Sequence, residues 1–456
     1  MNCLYIYRRD LRIKDNTTLN YLIKKGYNIY PIFIFNEKQV KTNRYKSEYC
    51  INFMIESLSN LKKELKNKLK YIIVKDDEIS NINKIVKENN ITSIGYNIDN
   101  TYYSRERDKK IEEYCKRQGI EHIALEDYTL FPINSILTGE GKYYETYNYF
   151  YKKALEKNIR KPRSEKYQNA QIKMLRIDDE FEPMTLYNKQ LKNKSVTIGG
   201  RVNALKLINP SIVKRLKNYE KTRVYPKINT SFLGAHLKFG NISIREFYEK
   251  VKSNKSLVGQ IFWKEFYVNL FINLGYKKTI GGDNYKGKKI KWENNEKLFE
   301  KWCTGNTGFP LVDAGMRQLN SIGWMHNRTR MLCANFLSLI LHINWTKGER
   351  YFAQKLIDYD VAINNGNWQW SVGLGVDRTS YIRIFNPETQ IQRLDKDCVY
   401  IKRWVKELEN VDNKIIKTWQ QNNESKHSNI NYVKYSKPCV DYKTERLKSL
   451  KVMRTK

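Results

Sequence analysis

The sequence predicts an α/β N-terminal domain built on a doubly wound parallel sheet, a connector, and an all-α C-terminal domain. Three observations carry this. Over residues 1–126 short apolar runs alternate with longer segments of helical spacing, the pattern of strands buried on both faces and joined by helical crossovers. Over 199–456 the helical period dominates, as expected of packed helices. A length of 456 residues exceeds what one core supports, so the chain divides into two or three units.

Cys3-Leu-Tyr-Ile-Tyr7 and Asn28-Ile-Tyr-Pro-Ile-Phe-Ile-Phe35 are the first apolar runs, and similar runs recur at Tyr71–Val74, Ser93–Ile98 and His122–Leu125. Segments 47–66 and 104–118 between them have helical spacing. Gly-x-Gly-x-x-Gly is absent, so an ordinary dinucleotide fingerprint is not what the sheet is for. Arg8-Arg-Asp-Leu-Arg12, with Asp15 and Asn16, follows the first strand, where ligands of such sheets bind. By itself that motif reads equally well as a charged loop and a helix cap. From 127 to 198 periodicity fades, and Tyr143-Tyr-Glu-Thr-Tyr-Asn-Tyr-Phe-Tyr151 is expected to be partly helical at best. This is a connector laid over the surface. Thr197-Ile-Gly-Gly-Arg201 ends it.

A formal charge of +35 predicts a polyanionic partner, because phosphate neutralisation and counterion release supply most non-specific nucleic-acid affinity. An AT-rich genome inflates Lys and Asn without any function, and both sources of charge stay open. Seven cysteines without Cys-x-x-Cys spacing read as reduced core thiols rather than a disulfide framework or a metal site. With no leader-like start and no apolar run of 18 residues, the expectation is a soluble, intracellular protein that is not secreted.

The helical domain carries the unusual chemistry. Asp358-Tyr-Asp-Val-Ala-Ile-Asn-Asn-Gly-Asn-Trp-Gln-Trp370 packs acids, amides and two indoles into thirteen residues that no amphipathic stripe explains. Upstream, Trp324, Asn327, Arg328 and Met331 fall at i, i+3, i+4 and i+7, one helical stripe that an ordinary core would not build with Asn and Arg. Arg330 points elsewhere and needs an acid. His326 reads as a satisfied core histidine. Thr230-Ser-Phe-Leu-Gly-Ala-His-Leu-Lys-Phe-Gly240 by itself reads as a plain N-cap, although hydroxyls and amides at a helix start also suit phosphate. Gln260-Ile-Phe-Trp-Lys-Glu-Phe-Tyr267 and Asp377-Arg-Thr-Ser-Tyr-Ile-Arg-Ile-Phe-Asn-Pro387 complete the set.

In order, spacing and residue type over about 200 residues, these blocks resemble the flavin-binding core of the DNA photolyase/cryptochrome family, most closely the class I cyclobutane pyrimidine dimer photolyases. The resemblance implies FAD held by Tyr219, Thr230, Ser231, Phe232, Leu233 and Gly234 on one side. On the other it implies Asn327, Arg330 paired with Asp358, Asp360, and Asn364 opposite the flavin N5. It implies an electron chain of Trp368, Trp345 and Trp292; an isolated Trp is usually core packing, but three at matching positions reverse that. It places UV-damaged DNA on Gln260, Trp263, Lys264, Asn327, Arg328, Met331, Trp370 and Arg383, with Trp263 stacking on the damaged bases. An antenna pigment, a folate or a deazaflavin, is implied for the first domain, where Glu106 resembles the acid of some folate binders; a Glu on an exposed helix face is ordinarily just solvated.

Two positions depart from the pattern: Gly234-Ala235 stands where most members have Ser-Pro, and Gln260 where microbial cyclobutane-dimer enzymes have Glu. The activity implied is light-driven opening of cyclobutane pyrimidine dimers, by one electron from excited reduced FAD that returns after the ring opens, in a monomer. The alternative is a cryptochrome-like blue-light photoreceptor. Lys437-Pro-Cys-Val-Asp441 resembles the usual photolyase ending and disfavours it, and Trp370 disfavours the single-strand branch, which has Tyr there.

Overall fold

The structure is a computed structural model that describes every residue except 76, 164, 166, 168–169, 192–193, 377–382, 425–429, 431–432 and 455–456. Its first part is a parallel sheet of β1 (Asn2–Tyr7), β2 (Asn28–Asn36), β3 (Lys70–Val74), β4 (Ser93–Asn97) and β5 (Glu121–Leu125), in the order β3-β2-β1-β4-β5. Strand order reverses at β1, so the cleft above the ends of β1 and β4 is the topological switch point where α/β sheets bind ligands. β1 and β4 are buried on both faces, as their unbroken apolar runs require.

A short β6 (Gln171–Ile172) pairs with Asn28 and Ile29 of β2. β3 begins its pairing only at Ile32, which leaves that end of β2 open. The connector therefore adds to the sheet as well as crossing the surface.

The helices that matter for the site are α1 (Thr17–Lys24), α2 (Glu48–Glu64), α3 (Tyr102–Gln118), α4 (Tyr147–Leu155), α5 (Gly234–Lys238), α6 (Lys255–Leu274), α7 (Asn327–Leu339), α8 (Trp345–Lys355) and α9 (Val361–Ser371). The Asn254 side chain caps α6 through the Leu257 amide, one of the orphan donors of a helix start. Its residues Leu257, Ile261, Phe262, Phe266, Tyr267, Leu270 and Phe271 are buried on several sides, so α6 is the central post of the helical domain. α9 packs against it at Gly366, where a Cβ would come within 2.3 Å of the Tyr267 ring.

Helix α7 begins at Asn327, not at Trp324, because His326 is its N-cap: Nδ1 accepts from the Arg328 amide at 3.2 Å. Trp324 precedes the helix and packs edge-on to Phe232, centroids 4.9 Å apart. The run 143–151 is helical from Tyr147. All seven cysteines are free thiols, and no helix among the described residues is long and apolar enough to cross a membrane.

Candidate functional site

The opening motif fastens the two parts together. Arg9 Nη1 donates to Asp360 Oδ2 at 2.8 Å, and the Tyr128 hydroxyl donates to the same oxygen at 2.7 Å. Asp360 Oδ1 accepts from the amides of Ala362 and Ile363, which caps α9. Burial pushes this carboxyl up, but Arg9, Tyr128 and the Ile363 amide outweigh it and hold the pKa at about 2. All four acceptor positions of Asp360 are thus used by the chain itself. Its part is to fix α9 against the sheet domain. Arg245 reaches Asp15 and Asp127 at 2.7 Å each, a second clamp across the same seam.

Asn327, Arg330, Met331, Asp358, Asp360, Asn364 and Trp368 line one space between the helices of about 90 Å³. Arg330 Nη2 pairs with Asp358 at 2.9 Å, and its Nε donates to the Met325 carbonyl. A Cβ on Gly234 would lie 2.8 Å from Asp358 Oδ2. The missing side chain at 234 therefore gives Asp358 its room, and no hydroxyl is available there.

Asn364 is oriented by a residue that sequence reasoning missed. Its Nδ2 donates to both the side chain and the carbonyl of Glu349, at 2.8 and 3.2 Å. With both amide hydrogens committed, Oδ1 is what Asn364 can offer to the cavity, so the amide acts as an acceptor. Glu349 is buried, and burial lifts its pKa to about 7 against the bonds from Asn364 and Tyr45.

Trp368 is 2% exposed, and its indole Nε1 is buried without an acceptor. It fits because Gly348 has no Cβ, which would stand 2.3 Å from the indole. The indole packed directly against it is Trp302, centroids 6.2 Å apart, which the motif reading missed. Trp345, at the start of α8, and half-buried Trp292 line a separate cavity of about 490 Å³ with Lys288, Lys289 and Lys291.

Thr230 and Ser231 do not cap α5. The cap position is Leu233, and no side chain bonds there. Ser231 Oγ instead receives the Leu233 amide at 3.4 Å, Phe232 takes a left-handed φ of 53°, and the Leu233 side chain is buried in the core. Tyr219 and Arg328 stand beside Arg223, whose buried Nε has no acceptor. Burial and Arg223 together lower the Arg328 pKa. Two facing guanidinium groups with an orphaned donor suit an anion.

On α6, Trp263 is half-buried with Gln260 one turn before it. Lys264 must be withdrawn from the DNA face. It is 9% exposed, its ammonium donates to the Tyr128 carbonyl at 2.8 Å and pairs with Glu265, and burial lowers its pKa. Trp370 is half-buried and Arg383 exposed, the latter fixed through its carbonyl by buried Asn335. Asp377–Ile382, the first part of the last motif, lies outside the described residues.

The second large cavity, about 420 Å³, opens at the ends of β1 and β2 and is walled by Phe35, Tyr45, Tyr103 and Tyr359. Six cations (Arg8, Arg9, Arg44, Lys46, Arg107, Lys238) and two acids (Glu78, Asp99) line it. Asp108 serves both Arg8 and Arg107, while Arg8 Nε and Nη2 are buried without acceptors. Burial and the nearby Arg107 lower the Arg8 pKa. Glu106 is exposed on α3 and is not part of this wall.

Two family models match the chain, one described as DNA photolyase over residues 3–167 and one as the FAD binding domain of DNA photolyase over 257–455. The chain belongs to the DNA photolyase family. A deoxyribodipyrimidine photo-lyase of Buchnera aphidicola is 33% identical over 469 residues, 98% of this chain and 96% of its own. Among solved structures, the archaeal photolyase of Sulfolobus tokodaii, described with two FAD molecules, matches with a TM-score of 0.86 at 35% identity over the whole of both chains. A Synechocystis cryptochrome matches with a TM-score of 0.89 at 25% identity, covering 99% of each.

A photolyase FAD-binding domain calls for groups that suit a flavin dinucleotide, and the residues present do. They offer an ion pair, a neutral amide acceptor, hydroxyls freed from capping duty and an orphaned guanidinium donor. The space of about 90 Å³ is smaller than the few hundred Å³ usual for ligand pockets, so it would take only part of a dinucleotide.

Proposed function

We propose that this chain repairs cyclobutane pyrimidine dimers in DNA in the light, with FAD held against Arg330, Asp358 and Asn364. The observation that carries the reading is the Asn364 amide, locked by Glu349 as an acceptor in the wall that also holds the Arg330–Asp358 pair and Trp368. FAD supplies the electron that opens the dimer. The residues of the chain bind, orient and exclude water. Tyr219, Thr230, Ser231 and Phe232 close the other side of the dinucleotide. Trp368, Trp345 and Trp292 serve its reduction. Gln260, Trp263, Arg328, Met331, Trp370 and Arg383 face the flipped lesion and its phosphates. One chain supplies every part, so it acts as a monomer, in the compartment that holds the DNA.

Lesion choice follows from which side chains can give a proton. Reversing a 6-4 photoproduct moves an oxygen between bases and needs a positioned acid. Asn327 and Met331 contact each other at 3.7 Å, and neither can supply one. His326 is buried, its Nδ1 is spent on the α7 cap, and burial with Arg330 and Arg328 lowers its pKa to about 4. It is therefore neutral near pH 7 and gives no proton there.

We also propose that the arginine-lined cavity holds an antenna pigment with an anionic tail, a flavin nucleotide before a folate. Support comes from the unmatched Arg8 donors, the cationic lining and the aromatic walls. Glu106 has no part in it.

The test is light-dependent repair of two oligonucleotides, one with a cyclobutane dimer and one with a 6-4 photoproduct. Turnover on the first alone is expected. Turnover on the 6-4 substrate overturns the lesion assignment, and none on either with reduced FAD bound overturns repair and leaves the photoreceptor alternative, which the cryptochrome likeness favours.

A further inference from the structure

We propose that Tyr147 is the positioning residue that presents Trp263 to a damaged base, which makes the connector part of the lesion site. This rests on the reading of Trp263 given above and deepens it. The Tyr147 and Trp263 rings lie 3.6 Å apart, centroid to centroid, at 7°. Among the described residues no other ring pair is closer than 4.7 Å.

That geometry is not the one two free rings choose. Aromatic pairs prefer offset or edge-on arrangements, because their negative faces repel. The neighbours of Trp263 follow the rule, with Phe266 edge-on at 83° and Tyr267 at 5.5 Å and 29°. A close face-to-face stack therefore has to be held from outside the two rings. The holding groups are visible. The Tyr147 hydroxyl donates to the Gly259 carbonyl at 2.7 Å, one turn before Trp263 on α6, and burial raises the phenol pKa so that it stays a donor. Behind it, Phe150 and Tyr151 of α4 pack on Phe266 and Phe262 of α6.

The consequence is an indole with its plane fixed before any ligand arrives. With one face covered by Tyr147, a base from solvent can meet only the part of half-buried Trp263 that Tyr147 leaves exposed. A side chain ordered in advance loses no rotamer freedom on binding, which is where preorganisation raises affinity. An undamaged duplex, held through its phosphates, does not use this surface.

Dark binding separates this from ordinary packing. Affinities are measured by anisotropy for a duplex with one cyclobutane dimer and for the same duplex undamaged, on FAD-loaded wild type, Tyr147→Leu, Tyr147→Phe and Trp263→Leu. Tyr147→Leu is expected to weaken lesion binding roughly tenfold, on the scale of one lost stacking partner. It should leave undamaged binding within about twofold and repair per absorbed photon at saturating substrate unchanged. Tyr147→Phe loses the Gly259 bond but keeps the ring and the packing of Phe150 and Tyr151 on α6, so lesion binding should fall between wild type and Leu, within about threefold of wild type. If the Leu variant does not fold, Tyr147→Met takes its place. Equal weakening on both duplexes, no weakening on the lesion, or a Phe variant as poor as Leu overturns the proposal. If Trp263→Leu itself keeps lesion preference, the reading of Trp263 has failed instead. If Trp263→Leu loses that preference and Tyr147→Leu retains it, only the role of Tyr147 is lost.

Discussion

The two cavities differ in how far the chain satisfies its own charges. At the ends of β1 and β2 six cations line the cavity; Arg9 is answered by Asp99 and Asp360 and Arg107 shares Asp108 with Arg8, but two Arg8 nitrogens stay buried without acceptors. Between the helices, Arg330 has Asp358, Asp360 has four donors, and Asn364 is locked by Glu349. A buried donor without a partner costs its full desolvation, so the first cavity is built short of a negative charge. The second is electrically complete except for the Trp368 Nε1, and it selects by shape and one neutral acceptor. Adjacent residues of a single motif, Arg8 and Arg9, fall on opposite sides of this difference.

The largest expected effect is at the centre of the complete cavity. Trp368→Phe should abolish photoreduction of oxidised FAD while leaving repair near the wild-type level once the flavin is reduced chemically. Gly348 keeps the space that either ring needs, so the smaller ring enters without a clash. Flavin absorbance under blue light reads the first property and dimer repair after dithionite the second. Undiminished photoreduction removes Trp368 from the electron chain and points to another donor beside the flavin.

Next come the two arginines. Arg9→Gln strips Asp360 of its cation in a buried site, a loss of about 3–5 kcal/mol where one partner of a buried pair is removed. Tyr128 and the α9 amides hold it to the lower end. Arg8→Gln should cost less, because Asp108 keeps Arg107 as its cation when Arg8 is gone and two of the Arg8 donors are unsatisfied already. It should instead remove the sensitisation of repair at antenna wavelengths. Thermal midpoints and an action spectrum give both readouts. Equal destabilisation by the two substitutions erases the contrast.

How much was legible follows the same division. The five main strands and the two helices between them could be read because a parallel strand is apolar along its whole length and a crossover helix is periodic. The motif also put Arg330 with Asp358. What could not be read depended on contacts across long sequence distances. Lys264 looked like a phosphate ligand until the Tyr128 carbonyl, 136 residues away, took its ammonium. Glu349 and Tyr147 had no motif of their own and act only through Asn364 and Trp263. Trp324 was placed on a helix by its spacing, which cannot show that His326 would cap that helix from its own side chain. A signal did exist for Gly348 and Gly366, since glycine inside a helical pattern marks a close approach.

A smaller effect tests the lock on Asn364. Glu349 titrates near pH 7 in the folded chain against 4.5 ordinarily, so between these values the folded state binds more protons than the unfolded one. Stability therefore falls as pH rises from about 5 to 7 and stays lower above. Glu349→Gln keeps an oxygen acceptor for Asn364 and has no proton to lose. Relative to wild type it should be unchanged near pH 5 and more stable at pH 8, by up to roughly 3 kcal/mol for a shift of this size. Denaturation midpoints at the two pH values check this, and a wild-type curve with no fall across that window would mean that Glu349 is ionised throughout. Glu349→Leu would free the amide hydrogen now held by the carboxyl and leave only the longer bond to the residue 349 carbonyl, so Asn364 could turn over, and FAD retention should weaken where Glu349→Gln does not.

The smallest effect belongs to Gln260, and its smallness is the point. Gln260→Glu installs the carboxylate usual in microbial cyclobutane-dimer enzymes. A hydrogen bond to a charged group is worth about 1.5–3 kcal/mol against 0.5–1.5 for a neutral one. A carboxylate at a half-buried site also repels the phosphates that a +35 chain attracts, and solvent screens the rest of the gain. These terms nearly cancel, so lesion affinity and repair rate should change by less than about threefold, with improvement greatest at high salt, where phosphate repulsion is screened. The 6-4 substrate should stay inert in both forms, since neither amide nor ionised carboxylate supplies the missing acid near Asn327 and Met331. A gain beyond about tenfold on cyclobutane dimers would show that the neutral amide limits this enzyme. The lesion face of α6 would then be short of a negative charge, as the cavity at the ends of β1 and β2 is.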